Sequence, residues 1–137
     1  MATLVKKIIS TAKCPKALAP YSQAVIADRT IYCSGMLGLE LPQMQLIPGG
    51  AGPQSKLALQ HIINLLDACD SRIENVVKTT IFLADMNDYG VVNDEYKKIF
   101  SSNFPARSCF QVAKLPMGAA VEIEIIALTG DVKTVSA

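Results

Sequence analysis

The apolar and polar positions of this chain follow strand periods at both ends and helical periods in the middle. Ser22–Ala27 and Thr30–Gly35 are short β-like runs joined by Asp28-Arg29, a connection of hairpin length, and Val5-Lys6-Lys7-Ile8-Ile9 reads as a strand ahead of them. From about Gln54 to Cys69, Ala58, Ile62, Leu65, Leu66 and Cys69 recur at helical spacing. Leu59 and Ile63 widen that stripe, while Gln60, Asn64 and Asp67 face away. This predicts an amphipathic helix. Val76–Ala84 is rich in β-branched residues with Lys78 its only charge, the pattern of a central strand covered on both faces. Asp88 stands at an N-cap position ahead of Val92, Tyr96, Ile99 and Phe100, which predicts a second helix ending near 101–103. Ser108–Ala113, a turn at Pro116-Met117-Gly118 and Val121–Leu128 return to β.

The predicted order is β-β-β-α-β-α-β-β, an α+β arrangement with two helices on one sheet face. Pro42 to Pro53, with Pro48-Gly49-Gly50 inside it, reads as a loop within a single domain spanning 1–137. The sheet's other face still carries Val, Ile and Thr positions and calls for a cover, most economically another subunit.

Composition sharpens that point. The 137 residues are 50% hydrophobic and only 18% charged, below the roughly 25% usual for soluble domains, so part of the apolar surface is expected to meet a partner. Thirteen basic and twelve acidic side chains are interspersed, giving a net charge of +1, which favours neither nucleic acid nor anionic membrane as a partner. Cys14, Cys33, Cys69 and Cys109 are widely spaced, and His61 is the only histidine, so no metal-binding spacing is present. Such thiols suit a reducing, cytoplasmic-type compartment. Lys6, Lys7 and Lys13 with no early acid leave a minor organelle-directed fraction open, although that segment reads more simply as a strand. No run approaches the roughly 18 apolar residues of a membrane span.

The most informative chemistry lies near the C-terminus. Alternation puts Arg107, Cys109 and Gln111 on one face of their run, and Glu122 and Glu124 on one face of the next. Paired as a hairpin, the two runs would bring the arginine and the glutamate to one side of the sheet. There they would form a cross-strand ion pair, lie on a wet sheet face, or make a carboxylate grip with a proton carrier beside it. Tyr21 after Pro20 offers a pocket wall or is an ordinary half-buried tyrosine, and Ser34-Gly35 allows close backbone approach or a bulge. Cys109 lacks a base to activate it, because His61 belongs to the first helix as a surface or boundary residue.

Several segments carry a family signature: Ala19-Pro20-Tyr21-Ser22-Gln23-Ala24, Ile31-Tyr32-Cys33-Ser34-Gly35, Val91-Val92-Asn93, and Phe104-Pro105-Ala106-Arg107-Ser108-Cys109 with Val121-Glu122-Ile123-Glu124. Together they resemble the RidA/YjgF family of reactive-intermediate imine deaminases, also called perchloric-acid-soluble translation-inhibitor proteins, over almost the whole chain. The resemblance implies a chorismate-mutase-like subunit with a six-stranded mixed sheet, in a homotrimer with a central barrel and sites in the clefts between subunits. It implies hydrolysis of 2-imino acids such as 2-iminopropanoate and 2-iminobutanoate to 2-keto acids and ammonia, with no metal and no cofactor. Carried onto this chain, Arg107 would grip the substrate carboxylate and Glu122 would handle the water and the proton to the imine nitrogen. Tyr21 would wall the pocket, Ser34, Gly35 and Asn93 would line it, and Cys109 would contribute mainly backbone groups. Met36 and Ala19 stand where many members carry Gln and Gly. The alternatives are an endoribonuclease or translation inhibitor, and a non-catalytic carboxylate-binding or chaperone-like module.

Overall fold

The computed structural model describes residues 1–137. Strands β1 (Lys6–Ile9), β2 (Ala24–Ala27) and β3 (Thr30–Cys33) are followed by the two-residue strands β4 (Leu39–Glu40) and β5 (Gln45–Leu46). Helix α1 (Ala51–Ala68), strand β6 (Val76–Leu83), helix α2 (Tyr89–Ile99) and strands β7 (Ala106–Gln111) and β8 (Val121–Leu128) complete the chain. Six strands form one mixed sheet in the order β1-β2-β3-β8-β6-β7, with β6 and β7 its only parallel pair. This is the expected α+β order. Strand β5, inside the stretch read as loop, pairs with β4 just ahead of it to add a small hairpin.

The helical stripe is buried as its spacing requires: Ala58, Leu59, Ile62, Leu65 and Leu66 are all inaccessible or nearly so, each large side chain contributing about 1.5–3 kcal/mol of apolar transfer. Helix α1 begins at Ala51, earlier than the spacing indicates. Pro53 falls within its first turn, where a missing N–H costs no helical bond. Asp88 occupies the N-cap position of α2 but makes no capping bond; instead the Asp85 carboxylate accepts from the Asn87 N–H at 2.9 Å and opens the 3-10 turn leading into the helix.

Two expectations are overturned here. The runs containing Arg107 and Glu122 do not form a hairpin, because β6 lies between β7 and β8. The fully buried alternation of Ile81 and Leu83 in β6 with Val121, Ile123 and Ile125 in β8 claims the sheet centre. The more polar β7 takes the edge, where open N–H and C=O groups stay wet. Strand β6 is also covered on one face only. Within the chain its other side, with Thr80 and Phe82 beside Ser108 and Phe110 of β7, carries no helix, and Tyr32 and Phe110 there remain about half exposed.

His61 is likewise not at the surface. It is 4% exposed, and its Nε2 lies 2.7 Å from the Leu39 carbonyl oxygen, tying α1 to the β4 hairpin. Burial pushes its pKa down, and its buried Nδ1 has no partner, so the ring is neutral with the proton on Nε2. No helix is long and apolar enough to cross a membrane.

Candidate active site

Strand β3 pairs with β8 through Tyr32 and Ile126, and the two chains meet again at Met36 and Ile123, so β3 carries one extra residue between those pairs. That bulge holds Ser34 and Gly35. The Ser34 hydroxyl donates to the Ser22 carbonyl at 2.6 Å and its N–H to the Gln23 carbonyl at 3.0 Å, which fixes the kink against the strand before it. Gly35 then lies directly against Glu122. A Cβ there would fall 2.6 Å from the Glu122 Cδ, so only glycine leaves room for the carboxylate.

Glu122 and Gly35 belong to a pocket of about 590 Å³ that also takes in Tyr21, Ser34, Met36, Leu37 and Glu124. Burial first, and the neighbouring Glu124 second, push the Glu122 pKa up, so this carboxyl can gain and lose a proton closer to neutrality than a solvated glutamate. Tyr21 is 52% exposed at the pocket mouth. Gln23 is a site-supporting residue that the sequence pattern did not single out. Its buried side-chain amide accepts from the Thr11 N–H at 2.7 Å and donates to the carbonyls of Thr11 and Pro15 at 3.0 and 2.8 Å. It thereby holds the segment that brings Pro15 and Lys16 to the pocket. A lone glutamine just ahead of a strand carries no spacing signal that would have marked it.

Arg107 is elsewhere. Its row across the sheet is Thr79 and Ile125, on the helix-covered face, whereas Glu122 shares its row with Phe82 on the open face. The two groups expected on one side of the sheet are therefore on opposite sides. Neither takes part in any ion pair of the chain, which removes the cross-strand salt bridge as an explanation for them. Arg107 instead packs on α2. Its guanidinium carbon lies 4.8 Å from the Tyr96 ring centre and 5.5 Å from that of Tyr89, and its Nη2 donates to the Tyr89 hydroxyl at 3.0 Å. Tyr96 is anchored in turn by a 2.9 Å hydrogen bond between its hydroxyl and that of Thr79. Asn93 lines a cavity of about 360 Å³ with Arg107, Tyr96 and Phe104. Cys109 follows on the same strand face as Arg107. Its thiol is pushed up by burial, with Arg107 opposing, so it stays protonated, and Cys14, Cys33 and Cys69 are raised further by burial, to about 11, 12 and 11.

The predicted site residues thus divide into two clusters: Tyr21, Ser34, Gly35 and Glu122 in one, Asn93 and Arg107 with Cys109 beside them in the other. Tyr89 and Tyr96 join the second cluster. Tyr96 was legible only as part of an apolar helix stripe, and Tyr89 by no pattern.

The sequence profile of the family described as Endoribonuclease L-PSP matches residues 11–129. The chain belongs to this family, that of RidA and YjgF. It is 58% identical over 134 residues to the RutC family protein UK114 of Drosophila melanogaster, covering 98% of this chain and 97% of that protein. It is 54% identical over 136 residues to the 2-iminobutanoate/2-iminopropanoate deaminase of Bos taurus, covering 99% of each. The crystal structure of E. coli TdcF with bound serine superposes with a TM-score of 0.84 at 35% identity, over 90% of this chain and 99% of that one. The RidA/YjgF fold is therefore the frame for both clusters.

Within this frame Gly35 yields a sharp expectation. Gly35→Ala has no positive φ to strain it, so the fold should hold while the added methyl displaces the Glu122 carboxylate. The expected result is a kcat at least about tenfold lower, the scale of a misplaced catalytic group, with an unchanged far-ultraviolet circular dichroism spectrum. A variant with full kcat would show that the carboxylate position is irrelevant.

Proposed function

We propose that this protein hydrolyses 2-imino acids, 2-iminopropanoate and 2-iminobutanoate among them, to 2-keto acids and ammonia. We further propose that its site is completed by a second copy of the chain in a homotrimer. The observation that carries the assembly is the separation of Arg107 and Glu122 by the sheet itself: no single chain can offer both to one small molecule. The open sheet face, with Tyr32, Phe82 and Phe110, is the surface for a neighbour to cover. The chemistry is supported by relatives named 2-iminobutanoate/2-iminopropanoate deaminase, and by the E. coli relative solved with bound serine.

In this reading Arg107 takes the substrate carboxylate, a bidentate match of fork to fork, with Asn93 and the backbone at Cys109 beside it. The imine carbon then faces Glu122 of the partner subunit. That carboxylate accepts a proton from water as the water oxygen adds to the C=N carbon, and it returns the proton to nitrogen. The resulting carbinolamine gives its hydroxyl proton to the same carboxylate, which passes it to the amine, so that ammonia leaves as the C–N bond breaks and the carbonyl forms. The raised pKa of Glu122 suits both halves of that transfer. The Gly35 N–H, which has no backbone acceptor in the chain, is available to the water or the developing charge. Tyr21 closes the mouth. The four unpaired cysteines suit a reducing, cytoplasmic-type compartment.

A threonine dehydratase supplying the imine, with semicarbazide trapping it, tests the activity directly. The protein should outcompete the trap and speed keto-acid formation, and failure to do so would overturn the deaminase reading. Because the family description names an endoribonuclease, RNA cleavage that survives repurification and is lost in Glu122→Gln would favour that activity instead.

A further inference from the structure

Three residues of α2, Tyr89, Asn93 and Tyr96, lie on one helical stripe over Arg107, and they differ in what they offer it. Tyr96 is buried and bonded to Thr79, so its ring is a fixed floor. A ring face attracts a guanidinium but does not set its rotation within its own plane. The Tyr96 hydroxyl also acts on Arg107 while it is held by Thr79, and Tyr89 adds an acceptor at the guanidinium's own edge. It is the first residue of the helix, 40% exposed, and its hydroxyl oxygen accepts from Arg107 Nη2 at 3.0 Å.

We propose that Tyr89 is a positioning and specificity-determining residue, whose hydroxyl locks the Arg107 guanidinium in one in-plane orientation so that its free N–H groups present a set edge to the carboxylate of the 2-imino acid. The inference rests on the deaminase reading of Arg107 and goes beyond it. An arginine side chain carries substantial rotamer entropy, and whatever part of that is removed before binding need not be lost at binding. The hydroxyl acts through Arg107, because an oxygen taking one Nη2 hydrogen and a carboxylate taking the other stand too far apart to bond each other. The benefit therefore belongs to carboxylate ligands alone, and it falls on substrate binding without touching the proton transfer at Glu122.

Tyr89→Phe isolates the effect, since it keeps the ring over Arg107 and deletes only the acceptor. For 2-iminobutanoate, KM should rise about fivefold, the loss of one hydrogen bond of about 1 kcal/mol, with kcat and melting temperature unchanged. Calorimetric binding of 2-oxobutanoate should weaken by the same factor, binding of the uncharged 2-oxobutanamide should not change, and Arg107→Ala/Tyr89→Phe should bind the acid no worse than Arg107→Ala. Equal affinity of Tyr89→Phe and wild type for 2-oxobutanoate would overturn the proposal, as would a loss that persists without Arg107. If Arg107→Ala itself leaves 2-oxobutanoate binding intact, the assignment of Arg107 to the carboxylate fails, an outcome read independently of Tyr89.

Discussion

Glu122→Gln is expected to lower kcat on 2-iminobutanoate by about 10²- to 10⁴-fold, the range of a lost general acid–base group, with KM little changed. The substitution keeps the shape of the side chain beside Gly35, so the bulge and its bonds to Ser22 and Gln23 have no reason to move. The pH profile carries the finer part of the expectation. Glu122 must be ionised to take the proton of water, so activity falls as pH drops through its pKa. Because burial and Glu124 raise that pKa, the fall begins at a higher pH than for a solvated glutamate. Glu124→Gln should move the acid limb to lower pH, and Glu122→Gln should abolish it. An acid limb that survives in Glu122→Gln would assign the proton transfer to another group.

The second large effect is a restoration. Arg107→Ala and Glu122→Gln should each be nearly inactive when assembled alone, yet the proposed oligomer, formed by co-expressing the two, should recover about a quarter of wild-type activity per site. That figure follows from random assembly in a cyclic oligomer: each site needs its arginine from a Glu122→Gln chain and its glutamate from an Arg107→Ala chain, each with even odds. Activity no greater than the sum of the two parents would mean that one chain holds the whole site, against the opposed faces of β7 and β8. Turnover in the co-expressed oligomer, against an equal mixture of the separately assembled variants, reads the difference.

The legible and illegible parts of this chain divide along physical lines. Element types follow local periodicity, so α1, α2 and the six sheet strands were readable from stripes such as Ala58 to Cys69 and from alternation such as Val121 to Ile125. Strand neighbours are not local. Chain proximity argued for a hairpin between β7 and β8, but the competition for the sheet centre was won by β6 through side chains some 40 positions away in sequence from β8. The same limit governed the site. The residues with chemistry were found by type and motif, whereas their division between two faces depends on the parallel β6–β7 crossover through α2. His61 shows a third case: a lone polar residue within an apolar stripe is buried with its one N–H bonded to a single backbone oxygen, here that of Leu39, and its other ring nitrogen left without a partner.

The Gln23 clamp bears on where this polypeptide can be cut. Through Thr11 and Pro15 it makes the first fifteen residues part wall and part strand: β1 closes one sheet edge, and the turn after it stands at the pocket. Any maturation, proteolysis or fusion junction acting ahead of Lys6 leaves that wall standing, whereas one acting between Thr11 and Pro15 opens the pocket's side without touching a single residue that meets the substrate.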